Sequence, residues 1–263
     1  MARASDSNLS SMLTTFCLRL ACGMIGALLL LSQAEVNPRF YRTHYLIAGG
    51  LLAVAAMSAG SEINAALWWT LGAAALLACL GSIIWSIQGN PGSRIIGIAS
   101  AMSLVTALGF TATGTSKKLP ALDFTVILLG ELSSAALLGA AVTAMLLGHF
   151  YLIAPGMSLT PLMRLLTALF VATGLRMVLA GWGLWSWTAN HSLVNWEDET
   201  VLWLPVRWGL GFGGPLVLGW MARSAAKIRS TQSATGILYV VVVFSILGEL
   251  TSQLLVANTG SML

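Results

Sequence analysis

The chain has 263 residues, of which 57% are apolar and 8% charged, and its mean hydropathy is +0.85. Soluble domains carry about 25% charged residues, so this composition excludes a soluble globular enzyme. The net charge of +4 and the pI of 9.3 would point to nucleic acid in a soluble chain. In a membrane protein such basic residues indicate topology, and we expect no nucleic-acid partner.

The apolar residues fall into eight blocks, each long enough to cross about 30 Å of hydrocarbon as a helix. The predicted spans are 11–32, 45–61, 64–86, 95–113, 123–148, 162–187, 202–222 and 233–256. Their connections are too short to hold a soluble domain. The sequence therefore predicts an all-α polytopic membrane protein with about eight transmembrane helices, a single domain over residues 1–263, and the lipid bilayer as its partner.

The basic residues favour one orientation, because positively charged loops stay in the cytoplasm. One side carries Arg39, Arg42, Arg94, Arg164, Arg223, Lys227 and Arg229, and the other carries Arg3, Lys117 and Lys118. We expect a cell inner (plasma) membrane protein with the first side in the cytoplasm and both termini outside. Ser32-Gln33-Ala34 also resembles a signal-peptidase site. Cleavage of residues 1–34 would reverse this orientation and stays open as an alternative.

Five ionisable residues lie inside the predicted spans, namely Arg19, Glu131, Arg176, Arg207 and Glu249. Each costs about 3 kcal/mol at a helix centre, so such residues rarely face lipid. At 1.5 Å per residue all five lie roughly 8 to 16 Å below the outer surface. The sequence predicts one polar cluster in the outer half of the membrane, with Glu131 pairing with Arg176 and Arg207 with Glu249.

This cluster has two interpretations. Three arginines and two glutamates leave one positive charge, which favours binding of an anionic headgroup, a carboxylate or a polarised carbonyl by these five residues. Alternatively, two buried ion pairs only fix helix partners while Arg19 extends toward the outer surface.

Two short sequence repeats indicate a four-plus-four pseudo-repeat. Residues 129–134 (LGELSS) recur as residues 247–252 (LGELTS), and residues 45–50 (YLIAGG) resemble residues 151–156 (YLIAPG). In the seventh span, Gly209 and Gly213 form a GxxxG pattern ahead of Pro215. This pattern predicts close helix packing followed by a kink.

A second group of polar residues lies at the predicted cytoplasmic rim. Its candidates for contact with ligand are Arg39, Arg42, His44, His149 and Tyr151. The simplest interpretation is contact with lipid headgroups, since the inner leaflet is anionic. A quinone-type pocket built on His149 and Tyr151 is the alternative.

Catalytic and metal-binding patterns do not emerge from the sequence, and its residues identify no cofactor. The three cysteines Cys17, Cys22 and Cys79 lie within predicted spans and form no metal quartet. The acidic stretch at residues 197–199 is typical of a solvated loop. We therefore predict neither catalytic residues nor metal ligands, and leave open whether the protein is an enzyme.

Two resemblances bear on function. Residues 182–187 (WGLWSW) resemble the tryptophan-rich signature of haem-handling cytochrome c assembly proteins, with Thr188 where that signature has aspartate. Eight spans with Gly-Glu-Leu in the last are similar to the quinol-reactive membrane anchors of molybdopterin oxidoreductases. The second covers three residues and a helix count, and neither assigns a catalytic residue to this chain.

The first functional hypothesis is a membrane protein that binds an amphipathic or anionic ligand, such as a quinone or a lipid headgroup, in an outward-facing polar cavity. It would act as a subunit of a larger redox assembly with membrane partner subunits. The alternatives are a small proton-coupled transporter and a non-catalytic membrane scaffold.

Overall fold

The computed structural model describes residues 2–59, 64–87, 92–118, 124–154, 156–190 and 198–260, and every element within them is helical. The elements are α1 Ala2–Leu29, α2 Pro38–Ser58, α3 Ala65–Ile84, α4 Ser93–Lys118, α5 Phe124–Ile153, α6 Thr160–Asn190, α7 Asp198–Pro205, a π-helical segment Val206–Gly213, α8 Gly214–Lys227 and α9 Thr231–Thr259. Helices α7 and α8 join through the π-helical segment into one interrupted rod. The prediction of an all-α bundle is confirmed.

Six of these helices are long and apolar enough to cross a membrane, namely α1, α3, α4, α5, α6 and α9. The chain is therefore a multi-pass membrane protein. Helix α2 and the interrupted rod are not among the six. The first two turns of α2 carry Arg39, Arg42 and His44, which leaves an apolar stretch shorter than the roughly 20 residues of a full crossing. In the rod, α7 has 8 residues and α8 has 14.

Local sequence explains where several helices begin and end. The Asn37 side chain accepts a hydrogen bond from the Arg39 backbone N–H, and Pro38 takes the first helical position of α2. Asn64 caps α3 in the same way. Helix α9 ends at Gly260, which has a φ of 68° that glycine adopts without strain.

The helices pack as two sets of four. In the first set α1 contacts α2 and α4, and α3 contacts both of these, which closes a ring. In the second set α5 contacts α6 and α9, and α8 contacts both of these. The sets join where α5 packs against α1 and α4, so α5 lies at the centre of the bundle.

Small residues bring α1 and α5 into backbone contact. A Cβ atom added to Gly23 would overlap the Ala135 carbonyl, and one added to Gly139 would overlap the backbone of Gly23. Lipid tails are as apolar as helix side chains, so the hydrophobic effect does not draw helices together inside a membrane. Close backbone approach stabilises them instead, through van der Waals packing. This contact places the two helices that carry Arg19 and Glu131 side by side.

The π-helical segment corrects the prediction for the seventh span. Pro205 and Pro215 both lack a backbone N–H, so the α-helical hydrogen-bond ladder is interrupted at each end of the segment. The wider turn directs Gly211 at α9, where its added Cβ would come within 2.8 Å of the Gly248 Cα. Gly209 faces open space, so the predicted Gly209 and Gly213 packing face is wrong.

Candidate functional site

The centre of the site is Glu249 on α9, which is fully buried and has guanidinium groups from three other helical elements around it. Arg176 on α6 holds it in a two-pronged contact, with Nε to Oε1 and Nη2 to Oε2 both at 3.1 Å. Arg207 Nη1 donates to Oε1 at 3.0 Å, and Arg19 Nη1 lies 4.0 Å from Oε2. Ser134 on α5 donates its hydroxyl to Oε2 as well.

Glu131 forms a second pair with Arg19 of α1. Arg19 Nε donates to Glu131 Oε2 at 2.6 Å, and Nη2 donates to Oε1, so the contact is again two-pronged. With its amide oriented to satisfy both groups, Gln253 accepts from Arg19 Nη1 at 3.2 Å and donates to the Met12 carbonyl at 3.0 Å. Arg19 therefore lies between the two glutamates and links them.

Arg207 is the most enclosed of the three arginines, with no exposed surface. Its Nη1 also donates to the Gly248 carbonyl at 2.8 Å, and its guanidinium carbon lies 4.2 Å from the centre of the Phe212 ring. Its Nε and Nη2 have no hydrogen-bond partner within the described part of the chain. The excess positive charge is therefore stabilised in part by a cation–π contact, which an aromatic face supplies without hydrogen bonds.

The structure brings all five sequence-predicted residues together and contains the predicted pair of Arg207 with Glu249, but not the predicted pair of Glu131 with Arg176. Glu131 binds Arg19 and not Arg176, while Arg176 joins Arg207 on Glu249. Arg19 is buried between α1 and α5 and does not extend to the surface. The predicted pairing assumed that helices adjacent in sequence share an ion pair. The Gly23 contact instead puts α1 against α5 beside Glu131.

A cavity of about 260 Å³ lies directly on this cluster, between the N-terminal half of α1, the N-terminal end of α5 and the C-terminal end of α9. Three of its lining residues are charged, namely Arg19, Glu131 and Arg176. The others are Ser11, Met12, Thr15, Thr115, Ile127, Gly130, Ser252, Gln253, Val256 and Ala257. Arg207 and Glu249 are not among the lining residues and are completely buried.

The repeated motif supplies polar groups on both of its copies. In the first copy Ser134 donates to Glu249, and in the second Ser252 accepts from Arg176 Nη2 at 3.0 Å. Ser133 instead bonds to Gly130 within its own helix. Gln253 was not among the residues predicted from the sequence, although it follows Glu249 by one helical turn and this spacing places both on one face.

The predicted rim residues fall into two groups. Arg39, Arg42 and His149 are exposed, whereas His44 and Tyr151 are buried. His44 Nδ1 contacts the Phe40 carbonyl at 2.8 Å, and the Tyr151 hydroxyl donates to the Ser158 carbonyl. None of the five lines the cavity at the charged cluster. Their contact with lipid or with a quinone stays a prediction.

The tryptophans and cysteines noted in the sequence differ in exposure. Trp182 and Trp185 are exposed, whereas Trp187 is buried against Leu255. Cys17 and Cys22 are buried and Cys79 is exposed. The side chains of the acidic stretch at residues 197–199 lie outside the described residues.

Comparison with protein-family models, curated proteins and solved structures finds no match to this chain.

Proposed function

We propose that this multi-pass membrane protein binds an amphipathic ligand with an anionic or strongly hydrogen-bond-accepting head, such as a lipid headgroup or a quinone. The binding site is the cavity lined by Arg19, Glu131 and Arg176. The observation that supports it is the position of this cavity on a cluster of three arginines and two glutamates inside the bundle.

The charge of the cluster favours an electron-rich head. Three guanidinium groups face two carboxylates, which leaves one positive charge in a low-dielectric setting. Guanidinium groups bind carboxylates and phosphates through paired hydrogen bonds, and they polarise a carbonyl oxygen in the same way. Arg176 lines the cavity while its Nε and Nη2 are held by Glu249, so its remaining Nη1 is the donor available to a ligand.

The rest of the cavity suits the body of an amphipathic molecule. Ile127, Val256 and Ala257 supply apolar surface, whereas Thr15 and Ser252 supply hydroxyls near the charged residues. Sites of this kind combine an apolar lining with a few placed polar groups that orient the ligand.

A blocking variant tests the proposal without altering any charge. Ala257 is exposed and lines the cavity, so Ala257→Trp fills its mouth. Its matched control is Asn258→Trp, because Asn258 is exposed and does not line the cavity. Binding of radiolabelled decyl phosphate and decylubiquinone to the purified full chain is measured for both. We expect Ala257→Trp to weaken binding of at least one probe about tenfold or more, while Asn258→Trp binds like the unaltered protein.

The same measurement separates this proposal from a scaffold. If neither probe binds the unaltered protein, or if both tryptophan variants bind equally, the cavity is not a ligand site and the cluster only holds helices together.

A second candidate function is proton-coupled transport, and the position of Arg19 favours it. Arg19 binds Glu131 directly and lies 4.0 Å from Glu249, so protonation of Glu131 would release it toward the second carboxylate. Uptake of radiolabelled decyl phosphate by vesicles that contain the protein would then depend on pH, and Glu131→Gln would remove that dependence. Pure ligand binding predicts no uptake at any pH.

The proposal also includes the number of membrane crossings and the orientation of the chain. We propose that α2 and the interrupted rod also cross the membrane, giving eight crossings of the cell inner membrane with both termini outside. The cavity then opens toward the non-cytoplasmic side, and the ligand reaches it from the outer leaflet. A role within a larger redox assembly stays a prediction.

A further inference from the structure

A second cavity of about 370 Å³ lies at the opposite end of α1 from the charged cluster. It is formed where residues 28–34 lead from α1 toward α2, and where α3 ends and α4 begins. Nine residues separate Arg19 from the first of these, which is about 14 Å along the helix axis. The two cavities share no lining residue.

This second cavity carries more positive than negative charge. Arg94 and Arg164 both line it. Arg164 pairs with Glu35 at 3.3 Å, whereas Arg94 has no hydrogen-bond or ion-pair partner within the described ranges. Arg94 also lies in the first turn of α4, whose unpaired N–H groups and dipole favour an anion. This net positive charge favours the binding of a negatively charged group.

An unpartnered polar group stands beside the same cavity. Tyr41 lines it and is 2% exposed, and the Tyr41 hydroxyl has no hydrogen-bond partner within the described part of the chain. The ring of Tyr41 stacks on Trp85 with centroids 4.0 Å apart, which fixes its orientation. A buried hydroxyl without a partner is unfavourable, and an acceptor oxygen in the cavity would satisfy it.

Apolar surface adjoins the polar lining. Leu29 and Leu30 line the cavity and are 38% and 47% exposed on the outside of the bundle. A hydrocarbon chain attached to a group inside the cavity would lie along them.

We propose that this cavity binds a phosphate group, with Arg94 and Arg164 as its charged donors and the Tyr41 hydroxyl as a neutral donor. The adjoining leucines favour a membrane phospholipid over free phosphate as its source. Under the predicted topology this end faces the cytoplasmic leaflet, where anionic lipids concentrate. The proposal is independent of the function proposed for the first cavity.

Native mass spectrometry of the purified full chain tests this site. The protein is titrated with phosphatidylglycerol in one arm and with inorganic phosphate in the other. The test variants are Arg94→Gln and Tyr41→Phe. The control is Lys227→Gln, which removes one exposed cation of the same predicted face away from the cavity. We expect Arg94→Gln to weaken binding about tenfold or more and Tyr41→Phe several-fold, because bonds to a charged acceptor are the stronger ones.

Each outcome decides the proposal. Arg94-dependent binding of phosphatidylglycerol alone supports a lipid, and Arg94-dependent binding of inorganic phosphate supports a free anion. Because the Tyr41 hydroxyl has no hydrogen-bond partner among the described residues, Tyr41→Phe should melt at the same temperature as the unaltered protein while binding less. Equal losses in Arg94→Gln and Lys227→Gln, or no binding in either arm, would overturn the proposal.

Discussion

At the scale of single residues, one carboxylate organises the site. Glu249 has no exposed surface and holds Arg176 and Arg207 directly, with Arg19 4.0 Å away. Removing a partner from a buried ion pair leaves a charge that neither water nor another group compensates. Glu131 differs because it lines the first cavity and, among the arginines whose side chains the structure describes, pairs with Arg19 alone.

The two glutamates should therefore respond differently to neutralisation. We expect Glu249→Gln to lower the free energy of unfolding by about 3 to 5 kcal/mol, because it leaves the two buried guanidinium groups of Arg176 and Arg207 without a counter-charge. Glu131→Gln should cost less, since Arg19 keeps Gln253 and the nearby Glu249. Reversible unfolding in mixed micelles measures both. Equal losses would show that Glu249 is not the centre of the network.

Ser134 tests the same network with a neutral group. Its hydroxyl donates to Glu249, so Ser134→Ala should cost about 1 to 3 kcal/mol of unfolding free energy. Ser133→Ala is the matched control, because the Ser133 hydroxyl bonds only to Gly130 in its own helix. The difference between the melting temperatures of Ser134→Ala and Ser133→Ala measures this effect. A larger loss in the Ser133 variant would contradict the assigned hydrogen bonds.

At the scale of elements, the π-helical segment determines how the interrupted rod meets α9. It places Arg207 against Glu249 and Gly211 against Gly248. π-helical turns occur often at functional sites because they shift side chains out of the regular helical register. Here the shift brings the guanidinium group of Arg207 and the backbone of Gly211 against the same helix, α9.

Alanine substitutions distinguish the observed register from a regular helix. Gly211→Ala would bring a Cβ atom to 2.8 Å from the Gly248 Cα, so the helices must separate. We expect a loss of about 1 to 3 kcal/mol, typical of overpacking. Gly209→Ala should have little effect, because nothing lies within 4 Å of its added Cβ. Thermal unfolding in detergent gives both values, and the reverse order would restore the GxxxG face.

The sequence predicted where the helices lie better than it predicted which helices pack against each other. Block length and hydropathy located the helices, and the cost of burying charge identified Arg19 and Glu131 as members of one cluster. Their pairing depended on the Gly23 and Gly139 contact between helices distant in sequence. Hydropathy carries no information on such contacts. Hydropathy also carries no information on the hydrogen-bond register of the helix, which Pro205 and Pro215 alter.

At the scale of the whole molecule, the described helices pack as two rings of four, but the sequence repeats do not map onto these rings. Residues 129–134 and 247–252 lie on α5 and α9, which belong to the same ring. Residues 45–50 lie on α2, whereas the second copy begins in the last residues of α5, at Tyr151, and these helices differ in position within their rings. The pseudo-repeat therefore stays a prediction about helix order.

The orientation of the bundle is tested by labelling single cysteines in a chain without its native cysteines. Ser230 lies between α8 and α9 on the predicted cytoplasmic side, and Ser192 lies in the predicted outer connection. We expect an impermeant maleimide to label Ser192→Cys in intact cells and Ser230→Cys only after permeabilisation. The opposite pattern would place the first cavity toward the cytoplasm.

The most direct measurement for the whole account is native mass spectrometry of the protein extracted gently from the membrane in which it is made. We predict a bound small molecule with an anionic or quinone head that is retained by Asn258→Trp and lost from Ala257→Trp. An identical set of bound molecules in both variants, or none in the unaltered protein, would contradict the claim that the arginine cluster serves a ligand.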